Sequence, residues 1–77
     1  MVVKKGNVVK LENGKNYLVD DVKVVNGKEY IVFFALDEKM YAIGQENVKE
    51  GKVSYTFLKL EDAIKVAKEI DKIDHQD

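Results

Sequence analysis

The sequence predicts an α+β domain: a five-stranded, antiparallel, strongly curled meander with one C-terminal helix packed on it. Three observations carry this. Tyr30-Ile31-Val32-Phe33-Phe34-Ala35-Leu36 is an apolar and aromatic run, too short for a typical helix and flanked by turn signals, and it reads as a strand buried on both faces. Asn13-Gly14 and Asn26-Gly27 each stand between strand-like segments, where Asn-Gly favours a two-residue type I′ hairpin because both central residues must take positive φ. After Lys59 the apolar period lengthens, and Leu60, Ala63, Ile64, Ala67 and Ile70 fall on one helical stripe.

Taken in order, Val2-Val3 reads as a short strand or a disordered lead-in. Lys4-Lys5-Gly6-Asn7 is a polar turn that delivers the first clear strand, Val8 to Leu11. A two-residue turn at Asn26-Gly27 fixes the next register, pairing Val25 with Lys28, Lys23 with Tyr30, Asp21 with Val32, Val19 with Phe34 and Tyr17 with Leu36. On that register the apolar residues of the middle strand change sides. Tyr17 and Val19 lie on one face, Val22 and Val24 on the other, and Asp20-Asp21 sits at the change. A long hairpin that coils between two layers accounts for this; a bulge at Asp20-Asp21 is the alternative.

Asp37-Glu38-Lys39 is a polar loop leading to a fourth strand, Met40 to about Gln45, and a second loop near Val48 to Val53 turns the chain back. The fifth strand, Val53 to Leu58, points Val53, Tyr55 and Phe57 inward. If Val48 pairs with Val53, Phe57 lies opposite Gly44, where the missing side chain makes room for a ring. The helix runs from Leu60 to about Ile73. Glu61 and Asp62 in its first turn and Lys68 and Lys72 near its last complement the macrodipole, and Glu61 with Lys65 forms an i,i+4 pair. With Lys59 or Leu60 at the N-cap it lacks a capping side chain, a loss of about 1 kcal/mol relative to Ser or Asp. Its stripe is expected to cover the second face of the Tyr30 to Leu36 strand. Residues 1–77 thus read as a single domain, frayed at 1–6 and 74–77.

Composition excludes more than it identifies. A chain of 77 residues, 45% hydrophobic and 35% charged, has the balance of a folded domain with one modest core. Its 13 basic residues are all Lys, against 14 acidic ones, for a formal charge of -1. Neither the basic excess nor the Arg forks of a typical nucleic-acid domain are present. Lys to the exclusion of Arg, with no Pro, Trp or Cys, suggests an AT-rich genome such as that of a low-GC bacterium or its phage. Without Cys there is no disulfide framework and no thiolate metal site. No run approaches the length of a membrane span, and the first residues lack a signal-peptide core, so the expected compartment is the cytoplasm.

No catalytic constellation emerges. His75, the only His, lies two residues from the C-terminus, and Ser54, the only Ser, has no base at a catalytic spacing. Asp20 and Asp21 are adjacent on a strand and so point to opposite faces unless a bulge turns them together. The Gly residues form no phosphate loop. The expectation is therefore no enzyme and no cofactor. Of the four Tyr residues, Tyr17, Tyr41 and Tyr55 project to the apolar layers. Tyr30 differs: near a hairpin tip, opposite Lys23 and beside Lys28, it forms with them the candidate partner-binding residues.

The stretch Val3-Lys4-Lys5-Gly6-Asn7-Val8-Val9-Lys10-Leu11-Glu12-Asn13-Gly14-Lys15-Asn16-Tyr17-Leu18-Val19, about a quarter of the chain, resembles the opening of many small proteins of Gram-positive bacteria and their phages. It is also similar to the first hairpin of SH3-like small barrels of the KOW type, where a Lys-Gly-Asp-x-Val stretch precedes a Gly turn and a Tyr-x-Val strand. Asn7 replaces the Asp, and the Arg residues frequent in RNA-binding members are absent. The resemblance implies an SH3-like curl, not an activity. The functional expectation is a small protein-binding module whose partner is another protein, followed by weak nucleic-acid binding, and then by a structural subunit, monomeric or homodimeric.

Overall fold

The computed structural model describes residues 3–75. Five strands, β1 (Val8–Lys10), β2 (Asn16–Val25), β3 (Lys28–Ala35), β4 (Met40–Lys49) and β5 (Lys52–Phe57), form one sheet in chain order, followed by α1 (Leu60–Asp74). All four ladders are antiparallel, so the sequence-derived meander and its terminal helix are both present.

Ring contacts measure the curl. In a flat sheet β2 and β5, three strands apart, would be separated by about 14 Å. Yet the rings of Tyr17 on β2 and Phe57 on β5 lie 5.4 Å apart, so the sheet bends into a half-barrel around them. Phe33 on β3 is the hub: Tyr17, Tyr55 and Phe57 all meet its ring at 5.6–5.8 Å, edge to face. Phe33, Ile31 and Val19 are wholly buried, and Val3, Tyr17 and Ala35 complete this concave core. Val3 lies outside any strand, and Val2, expected to join it in a short strand or lead-in, is outside the described residues. Val3 is held there by the turn beside it, in which the Gly6 N–H donates to the Val19 carbonyl and the Val19 N–H to the Asn7 carbonyl, at 2.8 and 2.7 Å.

The change of face on β2 is a bulge. From Asn26-Gly27 the register runs as expected to Asp21 with Val32, but Val19 then faces Phe33 and Tyr17 faces Ala35, leaving Asp20 as the extra residue. The pairs Val19 with Phe34 and Tyr17 with Leu36 are thereby corrected. One inserted residue returns Tyr17 and Val19 to the same face as Val22, so a single core takes all three, and coiling is not needed to explain the phase.

Turn chemistry divides similarly. Asn26 and Gly27 have φ of 52° and 78°, the expected type I′ pair. At Asn13-Gly14 the hairpin forms with a different turn: the Gly14 N–H donates to the Leu11 carbonyl at 2.9 Å, the Leu11 N–H to the Lys15 carbonyl at 3.1 Å, and of the two only Gly14 has positive φ, 79°. This is a three-residue loop, a type I turn followed by a left-handed Gly. Asn13 serves through its side chain, accepting the Lys15 N–H and donating to the Tyr17 hydroxyl, both at 2.9 Å. The third tight turn is Glu50-Gly51, with φ of 52° and 76° between paired Lys49 and Lys52. That pairing carries β4 to Lys49, beyond the expected end near Gln45.

α1 crosses the convex face, contacting β2 and β4 on either side of β3, whose Val32 and Phe34 are half-buried. Its seat is shallow. No α1 residue is fully buried, and Lys59 caps it with no side-chain bond, as expected. The stripe is rotated from the predicted one: Ala63, Val66 and Ile70 are half-buried, whereas Leu60 and Ile64 are 76% and 47% exposed. At the far end Lys23 Nζ lies 2.6 Å from Asp74 Oδ1.

Candidate functional site

The half-barrel does not close. No ladder joins β1 to β5, and between them runs a cleft of about 270 Å³, with Leu11, Glu12 and Asn13 on one side and Val53, Tyr55 and Phe57 on the other. Its apolar side is built by the alternation of β5. Val53, Tyr55 and Phe57 turn to the concave face as predicted, but the edge position leaves Val53 and Phe57 39% and 37% exposed. Phe57 reaches the core across Gly44, its partner on β4; a Cβ at Gly44 would meet the Thr56 carbonyl oxygen at 2.9 Å and Phe33 Cε2 at 3.1 Å.

Hydrogen-bond parity defines the edge. The two-residue turn makes Lys49 and Lys52 a bonded pair, and the Leu58 N–H donates to the Ile43 carbonyl at 2.9 Å, so the backbone groups of residues 52, 54, 56 and 58 point toward β4. Those of Val53, Tyr55 and Phe57 point outward, where no strand follows. Sheet edges are normally blunted by Pro, bulges, inward charges or short length. β5 has none of these over 53–57: its register with β4 is unbroken, and its one charge, Lys52, stands at the first position. β1, the opposite edge, is only three residues long.

The electrostatics of the cleft are mild. The Tyr55 hydroxyl lies 3.5 Å from Glu46 Oε2, and burial first, then the Glu46 carboxylate, holds the phenol above its usual ionisation range. Across the molecule, Lys15 pairs with Glu38, whose hydrogen bond raises the ammonium pKa.

The sequence-derived candidates gather at another place. Lys23 faces Tyr30 in register, as predicted, and Lys28 and Tyr30 line a shallow depression closed by Asp62 and Lys65 of α1. The Lys23 ammonium is turned to carboxylates, 2.6 Å from Asp74 and 3.4 Å from Asp21, and the hydrogen bond to Asp74 raises its pKa. Asp21 also accepts the Val22 N–H at 2.9 Å. Lys23 is thus charge-compensated. Tyr41, expected in an apolar layer, is 65% exposed: its ring lies 4.9 Å from Phe34, and it borders an open groove beside Ala63, Ile64 and Ala67 of α1.

Among the described residues no group of three or more His, Cys, Asp or Glu is placed to hold a metal ion. His75 follows the last turn of α1, with Nε2 3.2 Å from Asp71 Oδ1. Among the described residues no helix is long and apolar enough to cross a membrane. No protein family, curated protein or solved structure matches the chain. The edge of β5 was not singled out from sequence. Its signal was the clean alternation of Val53 to Phe57, but which strand ends a sheet depends on topology, which alternation does not encode.

Proposed function

We propose that the domain is a small non-catalytic protein-binding module that takes up an extended polypeptide segment by strand addition to β5. The observation that supports this reading is the outward row of Val53, Tyr55 and Phe57 backbone groups beside a cleft whose β5 side is apolar. Main-chain hydrogen bonds would supply affinity, and alternate side chains of the added strand would lie over the cleft, the division of labour usual in β-augmentation. Nucleic acid is the weaker reading, since Lys23 at the proposed footprint is engaged by Asp74 and Asp21.

The test is an amide-shift and hydrogen-exchange titration with a capped heptapeptide of alternating Val and Thr, run beside single-stranded and duplex oligonucleotides at low salt. Peptide-dependent shifts and slowed exchange at Val53, Tyr55 and Phe57 are expected, with Ser54 and Thr56 little changed. Salt-sensitive shifts from the oligonucleotides at Lys23, Lys28 and Tyr30, with none at β5 from the peptide, would overturn the proposal.

A further inference from the structure

The β5 edge is complementary to itself. An antiparallel copy placed with Tyr55 opposite Tyr55 brings Val53 opposite Phe57 and Phe57 opposite Val53. All three residues have outward backbone groups, so each pair is of the hydrogen-bonded kind. Side chains agree with the backbone. On the concave face the seam carries Val53 against Phe57 and Tyr55 against Tyr55. The column through Phe57 then runs from Gly44 to Phe57 and on to Val53 and Val48 of the second copy, continuing the existing β4–β5 pairs. Val48, 62% exposed in the single chain, gains an apolar neighbour column. On the convex face Ser54 meets Thr56, and Lys52 meets Leu58, so no like charges are opposed among the paired residues 52–58.

We infer that the strand added to β5 is the β5 of a second copy of this chain, giving a two-fold dimer with one continuous ten-stranded sheet centred on Tyr55. The inference rests on the strand-addition reading and names its occupant. An isologous contact of this kind requires a patch that fits itself, and this edge does so in backbone parity, apolar face and charge together.

The test uses the full chain. Light scattering across a concentration series is expected to show the mass doubling, and the amides of Val53, Tyr55 and Phe57 are expected to exchange more slowly as concentration rises. Two matched double variants probe the register, because Ser54 of each copy faces Thr56 of the other. Ser54→Lys with Thr56→Lys opposes four ammonium groups, whereas Ser54→Lys with Thr56→Glu places two Lys–Glu pairs across the seam. Both variants lose the Asn47–Thr56 side-chain bond of 2.6 Å, so that loss is common to them. The Lys/Glu variant should associate at least tenfold more tightly than the Lys/Lys variant. Equal association of the two, or wild-type exchange at β5 that does not vary with concentration, would overturn the dimer. A monomeric wild type whose β5 amides are still protected by the Val-Thr peptide would refute self-pairing alone; protection by neither would refute strand addition as well.

Discussion

Replacing Gly44 by Ala tests the packing of the half-barrel at its tightest point. The added methyl would sit 2.9 Å from the Thr56 carbonyl oxygen, 3.1 Å from Phe33 Cε2 and 3.4 Å from Phe57 Cδ1. Two effects oppose each other. Gly44 is not among the glycines with positive φ, so Ala restricts the unfolded chain and gains about 0.4–1 kcal/mol. Overpacking costs about 1–3 kcal/mol, and neither close neighbour yields readily: the Thr56 carbonyl belongs to the backbone of a strand paired residue by residue with β4, and Phe33 is wholly buried among three rings. The expected net loss is about 1–2 kcal/mol. Urea melts read it as a lower midpoint at unchanged slope. Adding Phe57→Leu should recover only a small part, because the shortest contact is to backbone. Wild-type stability in Gly44→Ala, or full recovery in the double variant, would refute the reasoning.

Other expectations follow from single positions. Phe33→Ala should cost about 3–5 kcal/mol, and Phe34→Ala, half-buried on the helix side, roughly half as much; equal losses in urea melts would contradict the assignment of the hub. Glu50 holds a φ of 52° that Asn tolerates better, so Glu50→Asn should raise stability by about 0.5–1 kcal/mol in thermal melts, and no gain would contradict the type I′ turn. Tyr55, with its folded-state pKa raised above the usual 10.0 by burial and then by Glu46, contributes stability that is present below pH 10 and lost as pH rises through the folded-state value. In an ultraviolet titration it should ionise later than a free tyrosine, and Glu46→Gln should bring it only part of the way back because burial remains; no change on Glu46→Gln would refute the coupling.

What could be read from the residues was whatever local chemistry determines by itself. Asn26-Gly27 set both turn and register because no other short turn suits two successive positive φ values so well, and Gly44 opposite Phe57 followed from counting back from the β4–β5 turn. Asn13-Gly14 shows the limit: the same dipeptide also serves at the end of a three-residue loop, and the choice depends on what Asn13 finds for its side chain, here Lys15 and the Tyr17 hydroxyl. At Asp20 the sequence showed that the phase must change but left bulge and coil open, since both return an apolar face to cover. The helix stripe was legible in period but not in rotation, which is decided by the surface beneath it. The candidate partner residues at Tyr30 were placed correctly in register, but the carboxylate that engages Lys23, Asp74, is fifty-one positions away in the chain, beyond the reach of any local pattern.

The strand order has a kinetic consequence. Each of the four ladders joins consecutive strands, so every strand after the first is gained by closing a hairpin rather than a long loop, and the entropy of closure is met in small steps. The slow event in forming a closed barrel, bringing the first and last strands together across the whole chain, is absent here because β1 and β5 stay apart. The contacts that join distant parts of the sequence are those made by the curl, such as Tyr17 with Phe57, and by the seating of α1 on β2 and β4, with Lys23 paired to Asp74. Such a chain should fold quickly for a protein built mostly of strands, in times on the order of milliseconds, with the helix docking last.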